Sequence, residues 1–119
     1  MRTYLAYNKT RGVPLAPKVK LVGTLWARMK GLLGCKDLLQ ETGLWIRPSQ
    51  GVHTIGMTFP IDVAYLDREG RILRMYHRLA PFRVAALSMR TRSVLELPAG
   101  TLSRTQTAVG DILDFQPVK

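Results

Sequence analysis

Apolar positions along this chain follow a period of two almost throughout, and switch to a helical period once. Tyr4 to Tyr7 is a short β-prone run ahead of polar Asn8-Lys9-Thr10, and Val19 to Val22 alternates a lysine with aliphatics. Both predict strands, with Pro14 and Pro17 in the connection keeping that stretch out of any sheet interior. From Thr24 to Gly34 the apolar residues Leu25, Trp26, Met29, Leu32 and Leu33 fill one arc of a helix. Thr24 suits its N-cap and Gly34 its left-handed C-terminal position. Beyond the helix the period returns to two. Leu44-Trp45-Ile46, Val52 to Met57, Ile61 to Leu66, Arg71 to Arg78, Val94 to Leu97 and Ile112 to Phe115 all read as short strands. Asp67-Arg68-Glu69-Gly70 predicts a hairpin connection with glycine at the left-handed position. The polar stretch after Pro98-Ala99-Gly100 has room for one helical turn. The sum is an α+β, β-rich chain: a small barrel-like mixed sheet of about seven short strands with one main helix at 24–34.

Length fits that picture, since 119 residues are what one domain spanning 1–119 needs to bury a core. The lone Cys35 excludes a disulfide-dependent scaffold and points to a reduced, cytoplasmic protein. No apolar run approaches the roughly 20 residues of a membrane-spanning helix, and no export signal is visible at the N-terminus. Charge changes the picture more. The net charge is +10, and it is unevenly placed: +8 over residues 1–36, −3 over 37–67, +6 over 68–92 and −1 over 93–119. Two basic segments inside the folded region would draw polyanions, whether nucleic acid or an anionic membrane face.

Candidate chemistry begins with Asp62. Its same-face neighbours are Ala64 and Leu66, and the opposite face carries Ile61, Val63 and Tyr65. A carboxylate there is buried, and a buried charge needs a partner. Arg28 is the first candidate, because it sits just off the helix's apolar arc and can reach inward past its own stem; His53 is the second. That pair is either a latch pinning helix to sheet or a ligand contact at a pocket mouth; the third alternative is that Asp62 is simply exposed. Glu96, beside Val94 and Pro98, poses the same question, with Arg83 or Arg92 as neighbours. His53 itself lies between Gly51 and Gly56, where a ligand could approach the backbone closely. Cys35, His53 and His77 fit no metal spacing, so neither metal nor cofactor is expected. A Cys35–His53 nucleophile pair has no orienting third group marked by spacing. Finally, Arg74, Tyr76 and Arg78 alternate onto one strand face that could stack bases and pair phosphates, or could simply be a solvated outer face.

Taken in order, Arg28-Met29-Lys30-Gly31-Leu32-Leu33, Gly43-Leu44-Trp45, His53 to Met57, Phe59-Pro60-Ile61-Asp62-Val63, Leu66 to Gly70, Val94 to Gly100 and Gly110-Asp111 resemble the family called domain of unknown function 192, over about residues 22–116. The resemblance implies a β-rich, barrel-like domain found in bacteria and archaea, with no established activity, and puts Arg28, Asp62 and Glu96 at signature positions. Many members carry a Trp-Met-Lys-Asn-Thr run where this chain has His53 to Met57.

The leading expectation is a small, non-enzymatic binding domain holding a small polar or anionic ligand at a barrel mouth lined by Arg28, His53, Met57, Asp62 and Glu96. One alternative is nucleic-acid or polyanion binding through Arg74, Tyr76 and Arg78 with Lys18 and Lys20. Another is a hydrolase-type enzyme using Asp62 or Glu96 with His53.

Overall fold

The computed structural model describes residues 2–23, 42–51, 59–81, 83 and 85–118. Among these residues the strands are β1 (Thr3–Asn8), β2 (Val13–Val22), β3 (Thr42–Ile46), β4 (Ile61–Leu66), β5 (Ile72–Leu79), β6 (Ser93–Pro98) and β7 (Leu113–Pro117), with a four-residue helix, α1 (Thr101–Arg104), before the last strand. They form one seven-stranded sheet in the order β5-β4-β6-β3-β2-β1-β7. Every neighbouring pair is antiparallel except β2 and β3, which run parallel from Lys18–Thr42 to Val22–Ile46. A parallel pair needs a crossover connection, and residues 23–41 supply it. The helix expected over 24–34 and the strand expected over 52–57 lie outside the described residues.

The two edges of the sheet meet at one place. Arg71 bridges Ile112, the Ile72 amide donates to the Asp111 carbonyl (2.8 Å), and the Leu113 amide donates to the Gly70 carbonyl (2.8 Å). The sheet therefore curls into a half-barrel. Gly70 permits the closure: its φ is +85°, and a Cβ there would collide with the Leu113 carbonyl oxygen. It also ends the expected hairpin, in which Asp67 Oδ1 accepts from the amides of Glu69 and Arg71 (2.9 Å each).

Strand alternation sorts the apolar residues into two clusters. Ala64, Leu66, Leu95 and Leu97 pack with Ile72 of one edge strand, Leu113 of the other and Leu102 of α1, so this is the enclosed face. Leu44, Ile46, Ile61, Val63, Tyr65 and Val94 form the outer cluster, covered by Phe59 and Ala85. Buried on both faces, the central strands β4 and β6 read as continuous runs in which all six residues are buried.

One expectation fails here. Pro14 and Pro17 do not lie in a connection but within β2. Over residues 13–17 that strand has β1 on one side and no paired strand on the other, because β3 pairs only from Lys18. Pro17 also falls at a register shift between the Tyr4–Val19 and Ala6–Ala16 pairs. Half-edges and bulges are the two places where a missing N–H costs no ladder bond.

Candidate functional site

Asp62 is fully buried on the enclosed face, as its neighbours require. Its carboxylate is held by main chain. The β4–β5 register shifts between Ile61–Leu79 and Val63–Tyr76, so Asp62 faces a bulge. There Arg78 adopts φ +51° and its amide donates to Oδ1 (2.9 Å). From the corner after β6, the amides of Gly100 (3.1 Å) and Leu102 (2.9 Å) donate to Oδ2. Three N–H donors converge on one carboxylate. Arg28, the partner expected from sequence, lies outside the described residues; among those described, the carboxylate ties the sheet to the α1 corner. Sealed from solvent and already accepting three bonds, Asp62 is badly placed to act as a general base.

Glu96 sits across the sheet. It pairs with Val63 on β4 and Leu44 on β3, both of the outer cluster, whereas Asp62 pairs with Leu97 of the enclosed cluster. The two acids expected to share a mouth therefore occupy opposite faces. Neighbouring Ile46, Ile61 and Val94 are apolar, and no described residue donates a hydrogen bond or offers a cation to the Glu96 carboxyl. Burial pushes its pKa up to about 8. At neutral pH it is mainly a neutral acid.

The Arg74-Tyr76-Arg78 face is also rearranged. Tyr76 and Leu79 both pack on the outer cluster although three residues apart, because the bulge resets the alternation between them. Arg78 is consequently out of phase, with its guanidinium 3.3 Å from where a Gly100 Cβ would be. Tyr76 is not a free stacking platform. Its ring lies 5.8 Å from Tyr65, and its hydroxyl accepts from Arg74 (3.0 Å) and the Ala86 amide (3.1 Å).

A polar knot that sequence reasoning did not find closes the β1–β7 end. Buried Asn8 donates to Thr107 Oγ1 (3.2 Å) and Asp111 Oδ2 (2.9 Å), and the same oxygen accepts from Arg11 Nε and the Ala108 amide (3.0 Å each). Burial raises the pKa of Asp111, but the bonds from Asn8, Ala108 and Arg11 outweigh it, so the net shift is downward.

A cleft of about 870 Å³ opens at the half-barrel's mouth, near the β4–β5 hairpin. Asp62, four residues back along β4 from Leu66, is about 13 Å from this end. The floor is aromatic. Trp45 alternates to the enclosed side of β3, stacks on Phe115 of β7 (centroids 3.8 Å apart, planes at 4°) and takes Tyr4 edge-on. Arg47 lays its guanidinium 4.9 Å above the indole. The indole N–H of Trp45 is buried without a hydrogen-bond partner. Arg92, Arg68, Asp67, Glu69 and Asp114 stand around the rim. Asp67 is committed to the hairpin amides, Asp114 accepts from Gln116 (3.1 Å), and Glu69 lies 3.6 Å from Arg68. Among the described residues, Arg47 and Arg92 have no acidic partner. Neither they nor the Trp45–Phe115 pair carry a sequence signature; Trp45's opposite parity to Leu44 and Ile46 was the one available cue. Arg28, His53 and Met57 fall outside the described residues.

The chain is similar to proteins known by sequence and by structure. The chain is 25% identical to a UPF0127 protein of Thermococcus sibiricus over 92% of its own length and 73% of the relative's. A UPF0127 protein of Thermococcus kodakarensis is 24% identical, over 94% and 73%. A crystal structure of a protein of unknown function from Novosphingobium aromaticivorans superposes with a TM-score of 0.81 at 19% identity, covering 95% of this chain and 84% of that one. Another, from Sinorhizobium meliloti and provisionally described as a transcription regulator, gives 0.77 at 22% identity, covering 96% and 92%. At those identities the likeness is one of fold. Residues 6–115 match the model of the DUF192 family, described as "Uncharacterized ACR", and with the curled sheet and its neighbours agreeing, the chain belongs to that family.

Proposed function

We propose that this protein is a non-enzymatic, cytoplasmic binder that takes a small anionic ligand in the mouth cleft. The observation that carries the proposal is Arg47, its guanidinium held over the Trp45 ring in a concavity of about 870 Å³. A guanidinium stacked on an indole has lost much of its rotamer freedom, so its N–H edge is prepared to grip a carboxylate or phosphate. Arg92 supplies a second charge across the rim, and the orphan indole N–H is a further donor for a ligand oxygen. The cleft volume falls within the range of small-molecule sites. Asp62 and Glu96 are not part of this site, one because it lies at the capped end and the other because it faces outward.

Thermal melting with inorganic phosphate, pyrophosphate, citrate, adenosine monophosphate and a short single-stranded oligonucleotide tests the proposal. At a hundred times its Kd, a ligand adds about 2.7 kcal/mol, a Tm rise of several degrees. At least one small anion should give that rise, and Arg47→Gln should abolish it while melting normally in plain buffer. If no small anion raises Tm, or the rise survives Arg47→Gln, the cleft is not the site. A rise from the oligonucleotide alone, falling steeply with salt, would replace this proposal with polyanion binding.

A further inference from the structure

Beside the cleft's Arg92 rim, Leu87 and Met89 are the most exposed large apolar side chains among the described residues, at 79% and 82%. Scattered apolar side chains on a surface need no explanation; these two lie two positions apart on one turn, and the turn is pinned. The Tyr65 hydroxyl donates to the Ala86 carbonyl (2.6 Å) and the Tyr76 hydroxyl accepts from the Ala86 amide (3.1 Å). The Ser88 amide donates to the Gln50 carbonyl (2.9 Å) and the Thr91 amide to the Ser88 carbonyl (3.1 Å), with Thr91 fully buried beneath. Main-chain anchors thus bracket each apolar side chain and keep it outside.

The surroundings are cationic. Arg90 and Arg92 are exposed beside the turn, and no Asp or Glu occurs from residue 70 to residue 95. A groove of about 380 Å³ runs under Leu87, between Ser49–Gly51 and Thr91–Arg92. We propose that the 86–90 turn docks on an anionic bilayer surface, with Leu87 and Met89 entering the boundary between headgroups and acyl chains and Arg90 and Arg92 at phosphate level. Two side chains on a projecting turn offer far less than the roughly 800 Å² per partner of a stable protein interface. A bilayer asks only for a few apolar contacts and clustered positive charge, and the net +10 of the chain adds long-range attraction. No helix among the described residues is long and apolar enough to cross a membrane, so the contact proposed is with the surface.

Flotation with phosphatidylglycerol–phosphatidylcholine vesicles, against pure phosphatidylcholine, tests this. The full chain should float with the anionic vesicles at low salt. A Leu87→Ser/Met89→Ser variant, whose melting should be unchanged because both side chains are exposed, should bind at least about tenfold more weakly. Leu87→Trp should add blue-shifted emission on anionic vesicles only. Equal binding by the double variant would reduce the effect to net charge and overturn the proposal, as would absence of binding to anionic vesicles. Retention on poly-glutamate that depends on Leu87 and Met89, without vesicle binding, would assign the turn to an acidic protein instead.

Discussion

Glu96 projects from the middle of β6 between Leu44 and Val63, and Glu96→Gln isolates what that position costs a carboxylate. Its pKa is raised from 4.5 to about 8 by burial, so the folded state holds a proton that the unfolded chain gives up near pH 4.5. Between those values the native state binds more protons than the unfolded state, and stability falls as pH rises. Each pH unit is worth about 1.4 kcal/mol. Across the window the loss reaches about 3 kcal/mol at pH 7 and about 5 kcal/mol above pH 8, as order-of-magnitude figures. Glutamine keeps the shape and a polar head but does not titrate. At pH 5 the variant should match the wild type within about 1 kcal/mol; at pH 8 it should be several kcal/mol more stable. Urea denaturation from pH 5 to 9 reads this directly: with a slope of about 1.5 kcal/mol/M, the two midpoints should separate by roughly 2 M or more at the alkaline end. Every other ionisable group is present in both proteins and cancels in the difference. If both proteins lose stability in parallel from pH 5 to 8, Glu96 is not held neutral and the account of that face is wrong.

Asp62→Asn keeps one acceptor oxygen and turns an NH₂ onto either the Arg78 amide or the amides of Gly100 and Leu102; unfolding should show a loss of about 2–3 kcal/mol, with the α1 corner loosened in hydrogen exchange at Gly100 and Leu102. Gly70→Ala forces a Cβ into the Leu113 carbonyl at positive φ, so it should cost about 2 kcal/mol or more in chemical denaturation and loosen the β5–β7 closure. Asp111 has a lowered pKa, so its contribution is present above the ordinary carboxylate value and lost as pH falls below about 4; Asp111→Asn should flatten the acid limb of the stability curve measured by circular dichroism.

Much of the fold was legible because it depends on local pattern. The limits of β4 and the Asp67–Gly70 hairpin follow from alternation and turn chemistry, and both appear where expected. Two prolines normally end a strand, so the N-terminal half of β2 is not legible locally; only the pairing of its neighbours shows that residues 13–17 form a half-edge. The mouth cleft was invisible for a different reason. Its residues come from five separate stretches, two to five from each, and only closure of the sheet brings Trp45 onto Phe115. Asp62 and Glu96 looked alike because each strand shows its own alternation, whereas the register that puts them on opposite faces belongs to the pair of strands.

The three buried acids show what decides the fate of such a residue. Asp62 lies opposite a bulge and beside a chain corner, where the amides of Arg78, Gly100 and Leu102 are freed from any ladder and turn onto it. Asp111 lies in a turn, within reach of the Ala108 amide, Asn8 and Arg11. Glu96 is paired on both sides in mid-sheet, where neighbouring amides already serve the β-ladder and the side chains are aliphatic. All three have little solvent exposure, so exposure alone does not explain why two of them are hydrogen-bonded and one is not. Access to uncommitted N–H groups does, and those groups occur where regular pairing stops. An acid buried beside a bulge or corner is therefore a structural acceptor, and one buried in mid-strand between paired neighbours is a neutral acid whose ionisation weakens the fold.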